Sequence, residues 1–336
     1  MGRRVVATGR VSATGHRAAI NPAFLARKLG GLVVTLFVTS FLVFSSLYLA
    51  PGDPVSFITK GRSPSPADVA AIRHQLGLDE PFLVRYWDWL TAMLRGDFGR
   101  SFQLHQDVVG VIGARLPVTL ELVVMSALII GIVGLGGGVL AALRRGRPSE
   151  GAILVGVTVG AALPSFVAAI VLLSVFSVRL GWFPTFGSGT GFFGTIYHLT
   201  LPAVALSITF IALVTRVTRS AMVDELRREH VEVALSRGIP RRTVIRRHVF
   251  RNALGPIMTI SGLVAAGLLV STSIVDTFFG LNGIGSLLVQ SVNQHDFPVV
   301  QAITMLIVAV FVVVNTAVDI AYPLIDPRIS AAESAR

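Results

Sequence analysis

The densest polar chemistry in the sequence lies between residues 216 and 253, where RVTRSAMVDELRREHVEVALSRGIPRRTVIRRHVFRNA sets ten arginines against four acids. Guanidinium groups at this density suit phosphate, whether on a nucleic acid backbone or an anionic lipid headgroup. The spacing suggests a third use. Residues 224–236 compose a good helix that Gly238 ends, and Pro240 then stands at the first turn of a second, basic helix. Two short helices joined at a glycine make a helical hairpin. Such a hairpin is stiffer than attraction to lipid requires, so the segment reads as a knob that transmits force to a cytoplasmic partner.

Catalytic chemistry has little to work with. The chain has no cysteine, which excludes thiolate catalysis, disulfides and cysteine-ligated metals. It has no GxxxxGK[ST] phosphate loop and no HExxH pair. Its seven histidines are scattered over tails, loops and helix ends, so no metal or haem site is expected. Glu121, Asp276 and Asp319 fall near the ends of apolar stretches, where ionisable groups snorkel or cap. The chain is therefore not expected to be an enzyme. A transport role would draw its energy from another subunit.

The elements that would position the hairpin are membrane helices. The 336 residues are 53% hydrophobic and only 14% charged, against roughly 25% charged in soluble domains. A bilayer core of about 30 Å needs about 20 apolar residues in helix. Six stretches qualify: 29–49, 118–143, 151–178, 199–215, 254–275 and 299–322. The first is too long for a signal peptide, and Pro51 stands where a cleavage site would be, so it reads as an uncleaved helix. Lys and Arg crowd the tail 1–28, the link 144–150 and the link 216–253, and are almost absent from the links after the third and fifth stretches. The positive-inside rule then puts both termini and the hairpin in the cytoplasm. With the hairpin flanked by membrane, no nucleic acid partner is expected.

The domain organisation expected is a basic tail 1–28, a first helix 29–49, an extracytoplasmic helical segment 50–117, a five-helix core 118–322 carrying the hairpin 224–250, and a cytoplasmic tail 323–336. Gly134 with Gly138, and Gly156 with Gly160, have the spacing that lets helices approach closely in lipid. Pro164 and Pro202 each predict a kink or an irregular start. In the outer segment, Ser65 caps a helix beginning near Pro66 and ending near Gly77, and Pro81 opens another. Seven basic and seven acidic residues balance there. Tyr86, Trp87 and Trp89 suit a bilayer interface. Spacing alone favours a lid on the helix ends over a docking surface for a delivery protein.

At residues 229–238 the sequence resembles the EAA loop of ABC importer permeases, a pattern of Glu-Ala-Ala, three residues, then Gly. Here it reads Glu232-Val233-Ala234, Leu235-Ser236-Arg237, Gly238, with Val in place of the middle Ala. The family's later Ile-x-Leu-Pro is replaced by a basic RHxxRNAxxP version, Arg247-His248 to Pro256, which looks like the peptide/nickel subgroup. LAPGDP, LGLDEP, LRGDFGRS, RLPVTLEL, LAALRRG, LPSF, LGWFPTFG, HLTLPA, FPVVQAIT and LIDPRI, in that order, resemble the dipeptide/oligopeptide B-type permease subunit over roughly residues 27–330.

The resemblance implies an all-α, six-helix, type I ABC importer permease in the bacterial inner membrane. It implies a heterodimer with a second homologous permease, two ABC ATPase subunits that carry ATP and magnesium, an extracytoplasmic binding protein and a peptide substrate. It places coupling to the ATPases at Glu232, Ala234, Gly238 and Pro240, and docking of the binding protein at Trp87, Trp89 and Asp97. Glu232 would pair with Arg228 or a partner cation, and Ala234 would be small enough for close docking. Nickel, glutathione or an oligosaccharide remains open as cargo. A different class, an autonomous channel or structural membrane subunit, fits the apolar stretches but not the hairpin.

Overall fold

The computed structural model describes residues 22–49, 65–75 and 79–325; Gly77 and both tails lie outside them. Among the described residues the fold is helical, with one isolated β-bridge between Arg100 and Asp107. In chain order the helices are α1 (Pro22–Leu49), α2 (Pro66–Gln75), α3 (Phe82–Leu94), α4 (Val108–Leu143), α5 (Pro148–Ala162), α6 (Ser165–Arg179), α7 (Gly191–Leu226), α8 (Glu229–Ser236), α9 (Arg241–Phe279), α10 (Ile284–Asn293) and α11 (Phe297–Ile325). Five of them, α1, α4, α7, α9 and α11, are long and apolar enough to cross a membrane, and α5 with α6 makes a sixth crossing if the bent pair is one span.

That third stretch is broken, by 96°, between Ala162 and Ser165. Pro164 supplies no N–H, and the residue before a proline is driven out of the helical region, as the extended Leu163 (ψ 121°) shows. Pro202 behaves differently. The sequence predicts a kink or an irregular start there; α7 begins at Gly191 and continues as helix through the buried Pro202 to Leu226, so Pro202 does not mark its start. Composition missed the N-terminal end of α7, where Gly, Thr and His are interspersed among the aromatic residues.

The long α7 is the axis of the bundle, with α4, α5, α6 and α9 packed around it. Leu199, Ala203, Leu206 and Val214 of α7 meet Leu122 and Ile130 of α4 and Val264, Leu268 and Val275 of α9 in the main core. Small residues set how closely the helices approach. A Cβ on Gly138 would lie 2.5 Å from Thr218 Cβ, and one on Gly134 would lie 3.1 Å from Val214 Cβ. Gly160 is similarly close to Ile208, at 3.2 Å. Gly156 faces open space, so the second glycine pair is not a packing pair.

Polar clasps close both ends. On the side of α4's C-terminus, Glu150 accepts hydrogen bonds from Gly146 N–H (2.7 Å) and from Nε of Arg219 on α7 (2.7 Å), and a second from the same guanidinium. Arg216 Nη2 donates to Thr158 Oγ1 at 2.8 Å. At the opposite end the buried Asp276 carboxylate caps α10, accepting from Gly283 N–H (3.0 Å) and Ser286 N–H (2.8 Å), while Ile284 N–H donates to Thr119 Oγ1 of α4 (2.8 Å). Asp296, also buried, takes the Ser101 hydroxyl and Phe102 N–H (3.1 Å), which pins the loop after α3 to the start of α11. Asp319 pairs with Lys28 at 2.6 Å, and Glu121 is exposed with no partner among the described residues.

In the segment between α1 and α4 the two helices begin where predicted, and α3 packs along the flank of a candidate span. Its aromatic residues lie along the flank of α1: Phe82 against Phe41 and Phe44, and Tyr86 against Phe37, Phe41 and Phe44. These α1 residues belong to the candidate span Leu25–Ser46.

Candidate functional site

The knob is built from the end of α7, the whole of α8 and the start of α9. The predicted helix 224–236 is in fact two. After Leu226 the chain leaves the helix at Arg227 and becomes extended at Arg228 (ψ 140°), and α8 starts afresh at Glu229. Glu225 explains how this corner is held. Its carboxylate lies 3.4 Å from Arg228 Nε and 3.7 Å from His230 Nε2, and it accepts from Asn252 Nδ2 of α9 at 3.4 Å. A single acid thus joins α7, α8 and α9. Glu229 and Glu232 in the first turn of α8 favour its positive end.

The turn that closes the hairpin is set by Gly238. Its φ of +76° lies in the left-handed region, which costs a side-chain-bearing residue roughly 1–2 kcal/mol. Gly238 N–H donates to Leu235 O (3.0 Å) and Ile239 N–H to Ala234 O (3.2 Å). This pair of bonds is the Schellman arrangement of a helix end. Pro240 then opens α9, its carbonyl accepting from Thr243 and Val244 (2.8 and 3.1 Å).

Beneath the turn, Val231 and Ala234 of α8 join Met222 and Val223 of α7, Ala142 of α4, and Val244, Val249, Ala253 and Ile257 of α9 in one buried cluster. The knob is therefore seated on three spanning helices. Ala234 is only 6% exposed and points into this cluster. Its small side chain allows close approach within the chain.

The outward face carries the other candidates. Glu232 is exposed, and it makes no ion pair among the described residues. Its expected partner Arg228 is engaged by Glu225 instead, because the break at Arg227 turns Arg228 back toward α7. Gly238 and Pro240 are exposed at the tip. Val233 and Leu235 are 40% and 44% exposed on two flanks of α8, and Arg237, Arg241 and Arg242 are exposed as well. The sequence reading missed Val233 and Leu235, because helical spacing does not reveal which face is buried until the break at Arg227 is known.

The remaining candidates lie on α3 and in the turn after it. Trp87 leans on Phe37 and Tyr86, with centroids 6.1 and 5.8 Å apart, and Trp89 on Phe44 at 5.3 Å. Asp97 lies in the turn beyond α3, where its Oδ1 accepts from Gly99 N–H at 2.9 Å.

This bundle with its basic knob has relatives. Residues 134–331 match the family described as binding-protein-dependent transport system inner membrane component, and residues 22–123 match that family's N-terminal region. The chain belongs to this family. It is an ABC importer permease subunit and a multi-pass inner-membrane protein. The permease is 34% identical over 330 residues to the di/tripeptide transport system permease protein of Pseudomonas aeruginosa, covering 91% of this chain and 98% of that one. It is 34% identical over 307 residues to the glutathione transport system permease protein of Escherichia coli K12, with the same coverage. Among solved structures, an inward-facing methionine ABC transporter, MetNI, matches with a TM-score of 0.52 at 16% identity, covering 66% of this chain and 95% of that one. That likeness supports the type I fold.

Proposed function

We propose that this permease imports short peptides, that it forms half of a pathway with a second, homologous permease, and that ATP hydrolysis by two cytoplasmic ATPase subunits drives it through the knob. ATP and magnesium belong to those subunits, and hydrolysis is not this chain's own chemistry. One observation carries the coupling reading. The knob leaves the unpaired Glu232 and, on two flanks of α8, Val233 and Leu235 exposed, on a base locked to α4, α7 and α9. A flexible lipid-binding tail needs no such seat, whereas a lever does.

Both termini lie in the cytoplasm on this reading, and an extracytoplasmic protein delivers the cargo. Trp87, 53% exposed, and Asp97 are the candidates for contact with it, whereas Trp89 is half-buried against Phe44 of α1. Glutathione is itself a tripeptide, and a glutathione permease is as similar to this chain as a di/tripeptide permease is, so peptide length is the property to test. The experiment reconstitutes the permease with its partner permease, ATPases and binding protein in liposomes, and follows uptake of labelled dipeptide, tripeptide, glutathione and nickel. Peptide uptake that requires ATP supports the proposal. Uptake that persists without the ATPases would return the chain to the channel class, and uptake of nickel alone would overturn the cargo.

A further inference from the structure

Between α1, α3 and α11 lies an open crevice of about 430 Å³. Its walls are Leu36 and Phe37 of α1, Leu90 and Leu94 of α3, and Met305 and Ala309 of α11, with a few neighbours. The one polar side chain on the walls, Ser40, is fully engaged. Its hydroxyl donates to Phe37 O at 2.7 Å, so the Tyr86 hydroxyl, 2.8 Å away, donates to it. Water has no partners here, and an apolar space this large is filled by an apolar guest where one is at hand.

The place and shape of the crevice choose the guest. Two of its walls, α1 and α11, belong to candidate spans, so its mouth opens where hydrocarbon is the solvent. The rim is apolar, with Leu94 79% exposed. A helix with side chains is about 10 Å across, so this volume holds about one turn of one. A peptide backbone would also find no hydrogen-bond partners on the walls. A single acyl chain is thin, flexible and needs none. At the lip, one residue past Leu94, Arg95 is exposed, with no side-chain hydrogen bond or ion pair among the described residues. We infer that this crevice seats one acyl chain of a membrane phospholipid, with Arg95 placed to meet its phosphate. The site wedges α3 against the first and last spans.

The test uses the permease with its natural partner subunits in vesicles of phosphatidylethanolamine and phosphatidylglycerol, doped with phosphatidylglycerol bearing a diazirine in one acyl chain. After illumination, adducts are mapped by mass spectrometry. Adducts on residues 33–40 and 90–94 are expected about tenfold above those on the exposed Val155 and Val159 of α5, for a site that binds better than bulk lipid contact by that factor. Ala309→Phe, and separately Leu90→Phe, fill the crevice and should bring labelling down to the α5 level. Arg95→Ala should weaken labelling by the phosphatidylglycerol probe about fivefold and leave a diazirine diacylglycerol, which lacks phosphate, unchanged. Even labelling of all exposed spans, or labelling indifferent to both filling variants, overturns the site. So does a quantitative disulfide between Leu36→Cys and Phe57→Cys, which would mean residues 50–64 already occupy the crevice; the absence of native cysteine makes that readout clean.

Discussion

Gly238 allows the coupling reading to be tested by degrees. At φ +76° a Cβ would touch nothing within 4 Å, so substitution there costs backbone strain alone, without a clash. Asparagine tolerates the left-handed region best among residues that carry a side chain, alanine pays about 1 kcal/mol, and β-branched valine about 2 kcal/mol or more. At 1.4 kcal/mol per tenfold, the valine variant would hold the observed turn about thirtyfold less favourably than glycine does. The cluster of Val231, Ala234 and Ile239 beneath the turn keeps α8 folded, so the strain falls on the tip rather than on the bundle. The assay is ATP hydrolysis stimulated by the binding protein, measured beside peptide uptake in the reconstituted complex, with thermal unfolding of the purified permease as control. Stimulated hydrolysis and uptake should fall in the order Gly, Asn, Ala, Val, while the unfolding temperature moves by only a few degrees. Full stimulation in Gly238→Val with the permease folded would refute the claim that this turn bears on the ATPases.

Four further outcomes follow from the contacts. Val233→Asp and Leu235→Asp, on the outward face, should change permease stability by no more than about 0.5 kcal/mol yet release the ATPases in pull-down. Ala234→Leu, overpacked against Met222 and Val244, should instead cost about 1–3 kcal/mol and be seen in the unfolding curve of the permease by itself. Gly138→Ala should cost a similar amount by pushing α4 off Thr218, whereas Gly156→Ala should be neutral or stabilise by up to about 1 kcal/mol through helix propensity. Asp296→Ala should free Ser101 and Phe102 and make the loop 97–107 cleavable by protease while the spans stay resistant.

The six apolar stretches were legible because lipid demands long runs of one kind of residue, and the turn at Gly238 because glycine and proline punctuate it. The break at Pro164 was legible for the same reason. What escaped was whatever depends on two distant residues meeting. Glu150 can be read as sitting in a helix first turn, but nothing local points to Arg219, 69 positions later. Ser101 and Asp296 are 195 positions apart, and each alone is an ordinary loop residue. The sequence shows that Ala234 is small but not that it packs on Met222 and Val244, because helix phase at the Arg227 break decides which way position 234 faces. The aromatic residues of α3 show the same limit: amphipathic spacing announces an apolar face but not that α1 buries Tyr86 and leaves Trp87 exposed.

The structure also bears on how a push at the knob would reach the far side. α9 leaves the knob at Arg241 and ends at Phe279, a rise of about 58 Å at 1.5 Å per residue. Near that end Asp276 holds the first turn of α10, and Thr119 of α4 holds the next residue of that same turn. One helix thus touches both the knob and the clasp that sets α10. Its regular winding is interrupted at Ile245–Phe250, a π-helical turn just beyond the hairpin. A widened turn at that point is where a helix yields first. The span beyond it packs along α7 through Val264 and Leu268. On the coupling proposal, closing the ATPases on the knob would bend α9 near Arg246 and displace the rest of the helix. The far end of that helix is buried polar chemistry with two discrete partners, not a deformable apolar contact, and this is what would let a small displacement at the knob become a switch at the other end. Asp276→Asn, which keeps the shape but loses one acceptor, should then leave ATPase binding to the knob intact and reduce only the coupling of hydrolysis to uptake. If both fall together, the clasp is merely part of the scaffold.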